Sequence, residues 1–203
     1  MLLDFDTLSP TQIYHTMTQA LIPRPIAWVL SDNGDGGYNL APFSYFNAVA
    51  SDPPLLMLSI GRKPGGEPKD TRRNILERKD FVVHIADHAM IDAVNASAAG
   101  LPAGASEVSK VQLPLCRFEG FRLPRLSDSP VAMACELYKV DEITASQAMV
   151  LGRVRRVYIR DAAVSTDNKG RNVIEAAKID PISRLGASEY ALLGEILTRP
   201  RPL

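Results

Sequence analysis

The chain has 203 residues, and Lys+Arg 23 balances Asp+Glu 23, leaving no formal net charge. That length suits one domain, and 46% hydrophobic with 23% charged residues is the composition of a globular protein, not a disordered one. The zero balance argues against a surface that is cationic throughout, as general polyanion binding would need, but it leaves room for a local basic patch.

Fifteen prolines and thirteen glycines predict many turns and short elements, not a helical bundle. Cys116 and Cys135 are too few for a disulfide framework or a four-cysteine zinc site, and their apolar surroundings favour inert thiols. The stretch from Met1 to Asp6 lacks the basic region and apolar core of a signal peptide. The densest apolar run, Leu55 to Ile60, is far short of the roughly 20 residues that span a bilayer. The expectation is a soluble, cytoplasmic chain.

Ser9-Pro10 predicts a helix start, with Ser as N-cap and Pro where its missing N–H costs nothing. Ile13, Met17, Ala20 and Leu21 recur at helical spacing, and Pro23 and Pro25 end the run. Ile26 to Leu30 is apolar on both parities, as in a strand buried on both faces. Asp32-Asn33-Gly34-Asp35-Gly36-Gly37 is a turn signal, so a second strand over Tyr38 to Ala41 completes a hairpin. Leu55 to Ile60 predicts a further strand. After the loop Gly61 to Pro68, Asp70 or Thr71 is the predicted N-cap of a helix ending near Lys79. Phe81 to Ala86 reads as a strand, and His88 to Ala99 as a helix closed by Gly100. Leu101 to Leu115 is irregular. Val131 to Ile143 and Gln147 to Asp161 are two long strands, with Arg155-Arg156 permitting a bulge. Asn172 to Ala177 is open between helix and strand, and a mixed tail runs through Arg199-Pro200-Arg201-Pro202. Many strands and few helices predict a barrel or sandwich with peripheral helices.

The chemistry concentrates between Ser59 and Asn74, where a strand delivers a loop that runs into a helix N-terminus. Unpaired N–H groups and the helix dipole favour an anion there. Arg62, Lys63, Lys69, Arg72 and Arg73 add positive charge against Glu67 and Asp70, while Thr71 and Asn74 add polar groups. Spacing alone leaves two readings open, a phosphate cradle or a solvated basic loop. The P-loop and dinucleotide glycine spacings are both absent. In Asn39 to Ala48, Pro42 marks a sheet edge or break, and aromatics interleave with polar groups; the segment suits a flat heteroaromatic ligand or a core strand with satisfied asparagines. His84 and His88 are four apart but straddle a predicted strand–helix boundary, which argues against a metal site. Arg153, Arg155, Arg156 and Arg160 read as a solvated strand face, with a nucleic-acid surface the alternative. No catalytic dyad stands out.

In order and spacing, Ile22-Pro23-Arg24-Pro25-Ile26-Ala27-Trp28-Val29, Asn39 to Asn47, Ser59-Ile60-Gly61-Arg62 and Lys69-Asp70-Thr71 with Asn74-Ile75 resemble the flavin reductase-like family with an FMN-binding split barrel. Weaker echoes follow at Val150 to Val154, Asp180 to Gly186, Tyr190 and Gly194. The resemblance covers residues 10 to 197 of a single domain, 1–203. It implies a mainly β fold with peripheral helices, a six-stranded Greek-key split β-barrel that forms a homodimer with flavin near the subunit interface. It places the FMN phosphate against Lys69, Asp70, Thr71 and Asn74, helped by Arg62 and Ser44. Asn39, Ala41, Pro42, Asn47, Ser59 and Ile60 then lie along the isoalloxazine and ribityl chain, with Arg24 and Arg184 as further contacts. Tyr158 departs from the family, many of whose members carry His there.

The implied activity is NAD(P)H:flavin reduction, with NADH or NADPH passing hydride to flavin N5 and a downstream oxygenase or redox protein as onward partner. The flavin carries that chemistry, so no acid–base pair is required. The alternatives are a flavin-bound electron carrier reduced by a protein partner, and a non-enzymatic binder of an anion or nucleic acid.

Overall fold

In the computed structural model, which describes residues 1–34, 36–100, 106–200 and 202, the first helix, α1 (Pro10–Ala20), opens as its chemistry requires. The Ser9 hydroxyl accepts the Gln12 N–H while the Gln12 side chain accepts the Ser9 N–H, a capping box with Pro in the first turn. Asp35 of the predicted turn, residues 101–105 of the predicted irregular stretch and Arg201 of the tail lie outside the described residues.

The chain continues through β1 (Arg24–Pro25), β2 (Ala27–Asp32), β3 (Tyr38–Phe43), β4 (Phe46–Ser51), β5 (Pro54–Gly61), α2 (Asp70–Arg78) and β6 (Asp80–Ile85). Next come α3 (Ile91–Ala96), α4 (Glu107–Val111), β7 (Leu115–Cys116), β8 (Arg125–Leu126), β9 (Val131–Glu142) and β10 (Gln147–Ile159). The last elements are β11 (Val164–Thr166), β12 (Asn172–Ile174), α5 (Ala176–Ile179), β13 (Ser183–Arg184) and β14 (Tyr190–Ala191). The predicted hairpin forms, running in register from Ala27↔Phe43 to Asp32↔Tyr38. The long strands pair with a register shift between Val154 and Arg156, a bulge at the predicted position.

Two expectations need correction. The helix predicted over 88–99 is a 3-10 turn, His88–Met90, followed by α3, which ends at Ala96; the His88 N–H donates to Asp180 O at 3.1 Å, tying the first turn to the C-terminal segment. The segment 172–177 holds both candidates, a short strand and then the start of a helical turn.

Seven antiparallel strands form the main sheet in the order β3-β2-β6-β9-β10-β5-β4. Laid flat at about 4.8 Å per step, its outermost strands would stand about 29 Å apart. Yet β3 and β4 are joined only by Ser44 and Tyr45, a link that reaches at most about 11 Å. The sheet therefore curls until its two ends meet, without a ladder between them. The resemblance implies six strands, whereas this sheet has seven; a break at Ser44-Tyr45 separates β3 from β4, which pair with different neighbours, β2 and β5.

Around β2 both sheet faces are buried, as its two-parity apolar run requires. Ala27 and Val29 pack with Phe43, Leu58, Ile60, Ile75, Phe81 and Val150. Trp28 and Leu30 face the other way, against Leu40, Val82, Met90, Val94, Phe118 and Leu126. Gly152 lies so close to the Phe81 ring that a Cβ there would overlap it. No described helix is long and apolar enough to cross a membrane.

His84 is wholly buried on β6. Its Nε2 accepts the Leu126 N–H at 3.0 Å, so the proton sits on Nδ1, which donates to Trp28 O at 3.1 Å. Both ring nitrogens are occupied by backbone, which removes His84 as a metal ligand. Burial, with a smaller push from Arg125 against the support of the Trp28 carbonyl, brings the imidazole from 6.5 down to about 4. As pH falls through that interval the unfolded chain takes up the proton first, so stability should drop on acidification. We expect a loss on the order of 3 kcal/mol from this residue between pH 6.5 and 4, read by urea denaturation. A His84→Gln variant should show a flatter profile over that interval; an equal slope in the variant contradicts the assignment.

Candidate active site

Where β5 ends, Arg62 bridges back to Pro68, and Lys63 N–H bonds Glu67 O at 2.8 Å. Gly66 closes this turn at φ +84°, a conformation that favours glycine. The loop then feeds α2, whose N-cap is Lys69, not Asp70 or Thr71 as predicted. A lysine side chain accepts no hydrogen bond, and among the described residues no side chain caps this helix. The amides of Asp70, Thr71 and Arg72 therefore open the helix without intrahelical acceptors, at its positive end.

This terminus faces a cleft of about 400 Å³ bounded also by Asn39, Ala41, Pro42, Arg62 and Lys63, by residues 97–100, and by Glu107. Five basic side chains surround the terminus, but most are engaged. Asp70 pairs with Lys63 at 2.7 Å and with Arg73 at 2.6 Å. Arg72 pairs with Glu142, and Arg62 donates to Ala145 O at 2.9 Å and Gly66 O at 3.1 Å. Among the described residues no acidic group pairs with Lys69; its ammonium lies 5.7 Å from the Phe43 ring centroid. Desolvation lowers its pKa, so this cation gains from an incoming anion.

Behind the terminus lies a buried polar network. Asn39 Nδ2 donates to Thr71 Oγ1 at 2.8 Å, and Asn74 Nδ2 donates to Asn33 Oδ1 at 2.9 Å and Ser31 Oγ at 3.2 Å. Asn74 is fully buried and braces the helix on the strand below; it does not line the cleft.

A second, more apolar groove of about 590 Å³ lies along the β3–β4 joint. It is lined by Arg24, Ser44, Asn47, Met57 and Ser59, with the end of α1 as one wall. The predicted residues thus divide between two neighbouring depressions. Asn39, Ala41, Pro42, Arg62, Lys69, Asp70 and Thr71 share the first, and Arg24, Ser44, Asn47 and Ser59 the second. Ile60 has its side chain in the core. Arg24 is a clamp: its guanidinium donates to the carbonyls of Thr18, Leu21 and Leu185 and, at 3.4 Å, to Ser44 Oγ. Arg184 folds onto the carbonyls of Ala187 and Glu189, its guanidinium 4.5 Å from the Tyr190 ring centroid.

Sequence reasoning passed over Glu107, which is 7% exposed and lines the first cleft; nothing local reveals that the first residue of a short helix reaches a strand 67 positions away. The arginine-rich strand is dispersed among partners, Arg155 to Glu136, Arg156 to Gly120 O and Arg160 to Asp87. Among the described residues no three potential metal ligands converge.

Replacing Asn74 with Ala should cost about 1–3 kcal/mol, because it leaves buried partners unpaired. A lowered urea midpoint checks this, and an unchanged midpoint contradicts the bracing role.

Residues 18–172 match the flavin reductase like domain. The chain is 35% identical to an uncharacterised protein of Halalkalibacterium halodurans, over 100% of this chain and 97% of that one. Among solved structures, nitrilotriacetate monooxygenase component B from Bacillus cereus superposes with a TM-score of 0.88 at 36% identity, covering 98% of each chain. The Pseudomonas fluorescens 2-nitrobenzoate 2-nitroreductase superposes with a TM-score of 0.89 at 30% identity, covering 100% of this chain and 96% of that one. The flavoredoxin of Desulfovibrio vulgaris, at 21% identity and a TM-score of 0.75, shares the fold. With three quarters of its length matched and relatives above 30% identity over their whole chains, this protein belongs to the flavin reductase-like family.

Proposed function

We propose that the protein is an FMN-dependent oxidoreductase of the NAD(P)H:flavin reductase type, built on a Greek-key split barrel. The observation that carries this reading is the uncapped start of α2, with Lys69 beside it, opening into a cleft large enough for part of a nucleotide. Such a terminus is a ready anion site, and family membership makes a flavin phosphate the anion of choice. When bound, FMN supplies the redox chemistry, accepting hydride at N5 from NADH or NADPH.

The chain's own residues bind and orient. The amides of residues 70–72 and the Lys69 ammonium hold the phosphate, and Thr71, fixed by Asn39, keeps the helix start in place. Asp70 is shared between Lys63 and Arg73, offsetting one of the two charges and leaving a local positive excess for one small anion. The apolar groove beside Ser44 and Asn47 suits the flat ring system, with Ser59 at its edge. No side chain is asked to move a proton.

The reading extends to a cytoplasmic homodimer. β4 is exposed over nearly its whole length, with Val49 55% exposed, and Leu21 and Ile22 stand bare beside the apolar groove. An uncovered apolar edge of this kind invites a second chain. The 36% identity to a protein named as a monooxygenase component supports an oxygenase as the onward partner.

Lys69→Ala and Thr71→Ala should each weaken FMN binding roughly tenfold or more while leaving riboflavin, which lacks the phosphate, nearly unaffected. Fluorescence titration reads both affinities, and equal losses for the two ligands contradict the phosphate assignment. Mixing the flavin-loaded protein anaerobically with NADH or NADPH should bleach the flavin absorbance. Persistent colour with both nucleotides contradicts direct reduction and favours a protein electron donor.

A further inference from the structure

Glu107 occupies an unusual position for a carboxylate. It is the first residue of α4, nearly buried, and it lines the same cleft as the cationic start of α2. One oxygen, Oε2, accepts the Leu40 N–H at 3.0 Å, and the preceding Ser106 hydroxyl donates to Tyr38 O at 2.7 Å. Residues 38 and 40 present these groups along the edge of β3 that β2 leaves unpaired, so α4 covers that edge. The neighbouring Asn39 directs its side chain to Thr71 of α2. Adjacent residues of one strand thus fix the anion site and the carboxylate, and hold them close together. Burial raises the Glu107 carboxyl above its ordinary pKa, the Leu40 N–H draws it back, and Asp70 adds repulsion.

A cleft built only for phosphate has no use for an acid there. A carboxylate has about four acceptor positions; the Leu40 N–H and the residue's own backbone N–H occupy two. The cleft is therefore bipolar: donors and positive charge come from α2, and hydrogen-bond acceptance from α4. Its complement is a ligand with an anionic end and hydroxyl or N–H donors a short distance away. Resting on the flavin reading above, we propose that Glu107 is a specificity-determining residue that accepts hydrogen bonds from the hydroxyls of a polyol phosphate, the ribityl chain of FMN, and so selects hydroxylated ligands over a bare ring or a bare phosphate.

The test is a fluorescence titration of wild type, Glu107→Ala and Glu107→Gln with FMN, riboflavin and lumiflavin, which has the ring but no ribityl chain. Glu107→Ala should lose about tenfold affinity for FMN and for riboflavin and none for lumiflavin. Glu107→Gln keeps a carbonyl oxygen for Leu40 and should lose a few-fold for the two ribityl ligands alone, so it decides the matter if the alanine variant does not fold. A merely structural role would lower all three affinities together with the melting temperature. That pattern, or ribityl affinities unchanged in both variants, overturns the inference while leaving the flavin reading intact. A wild-type protein that binds none of the three ligands overturns both.

Discussion

A two-residue link sets the shape of this molecule. Ser44 and Tyr45 join strands at opposite ends of a seven-stranded sheet, so the sheet must curl until those ends meet. The link is held in place from both sides: Tyr45 O accepts the Ser59 N–H at 2.9 Å, and Ser44 receives Arg24, whose remaining donors secure the end of α1 and the Leu185 carbonyl. The seam that results has a cleft on one side and an apolar groove on the other. A ligand with a charged tail and a flat apolar head matches that layout, and neither depression alone would hold one.

Electrostatics narrows what the cleft accepts. The chain is neutral overall, and the five cations gathered around α2 are offset in part by Asp70 and Glu142. What remains is a small local excess of positive charge, the dipole at the start of α2 and the partly desolvated Lys69. That is a weak field for a polyanion and an apt one for a single phosphate ester. The buried chain of Ser31, Asn39, Thr71 and Asn74 gives the helix start a fixed geometry, because each polar atom taken from water there depends on a particular partner.

The sequence is legible where its signals are local. The hairpin of β2 and β3, the capped start of α1, the long pair β9–β10 and the bulge near Arg155 all follow from spacing, turn residues and alternation, and all form. The start of α2 is legible for the same reason, although its N-cap shifts by one residue to Lys69. Side-chain destinations were less readable. Arg62 turns to Ala145, Arg24 to Leu185, and Glu107 to Leu40. Each partner lies many tens of residues away, so the outcome is decided by topology, which periodicity does not encode. Asn74 and Ile60 sit in the matching motifs yet face inward; a motif position fixes the backbone and leaves the direction of the side chain to the packing around it.

The most direct test of this account is the visible absorbance of the purified protein, followed by identification of any ligand released on denaturation. A flavin spectrum, present on purification or appearing on addition of FMN, with FMN recovered in preference to riboflavin, is the result expected from a phosphate-holding cleft beside an apolar groove. A colourless protein that takes up no FMN contradicts it.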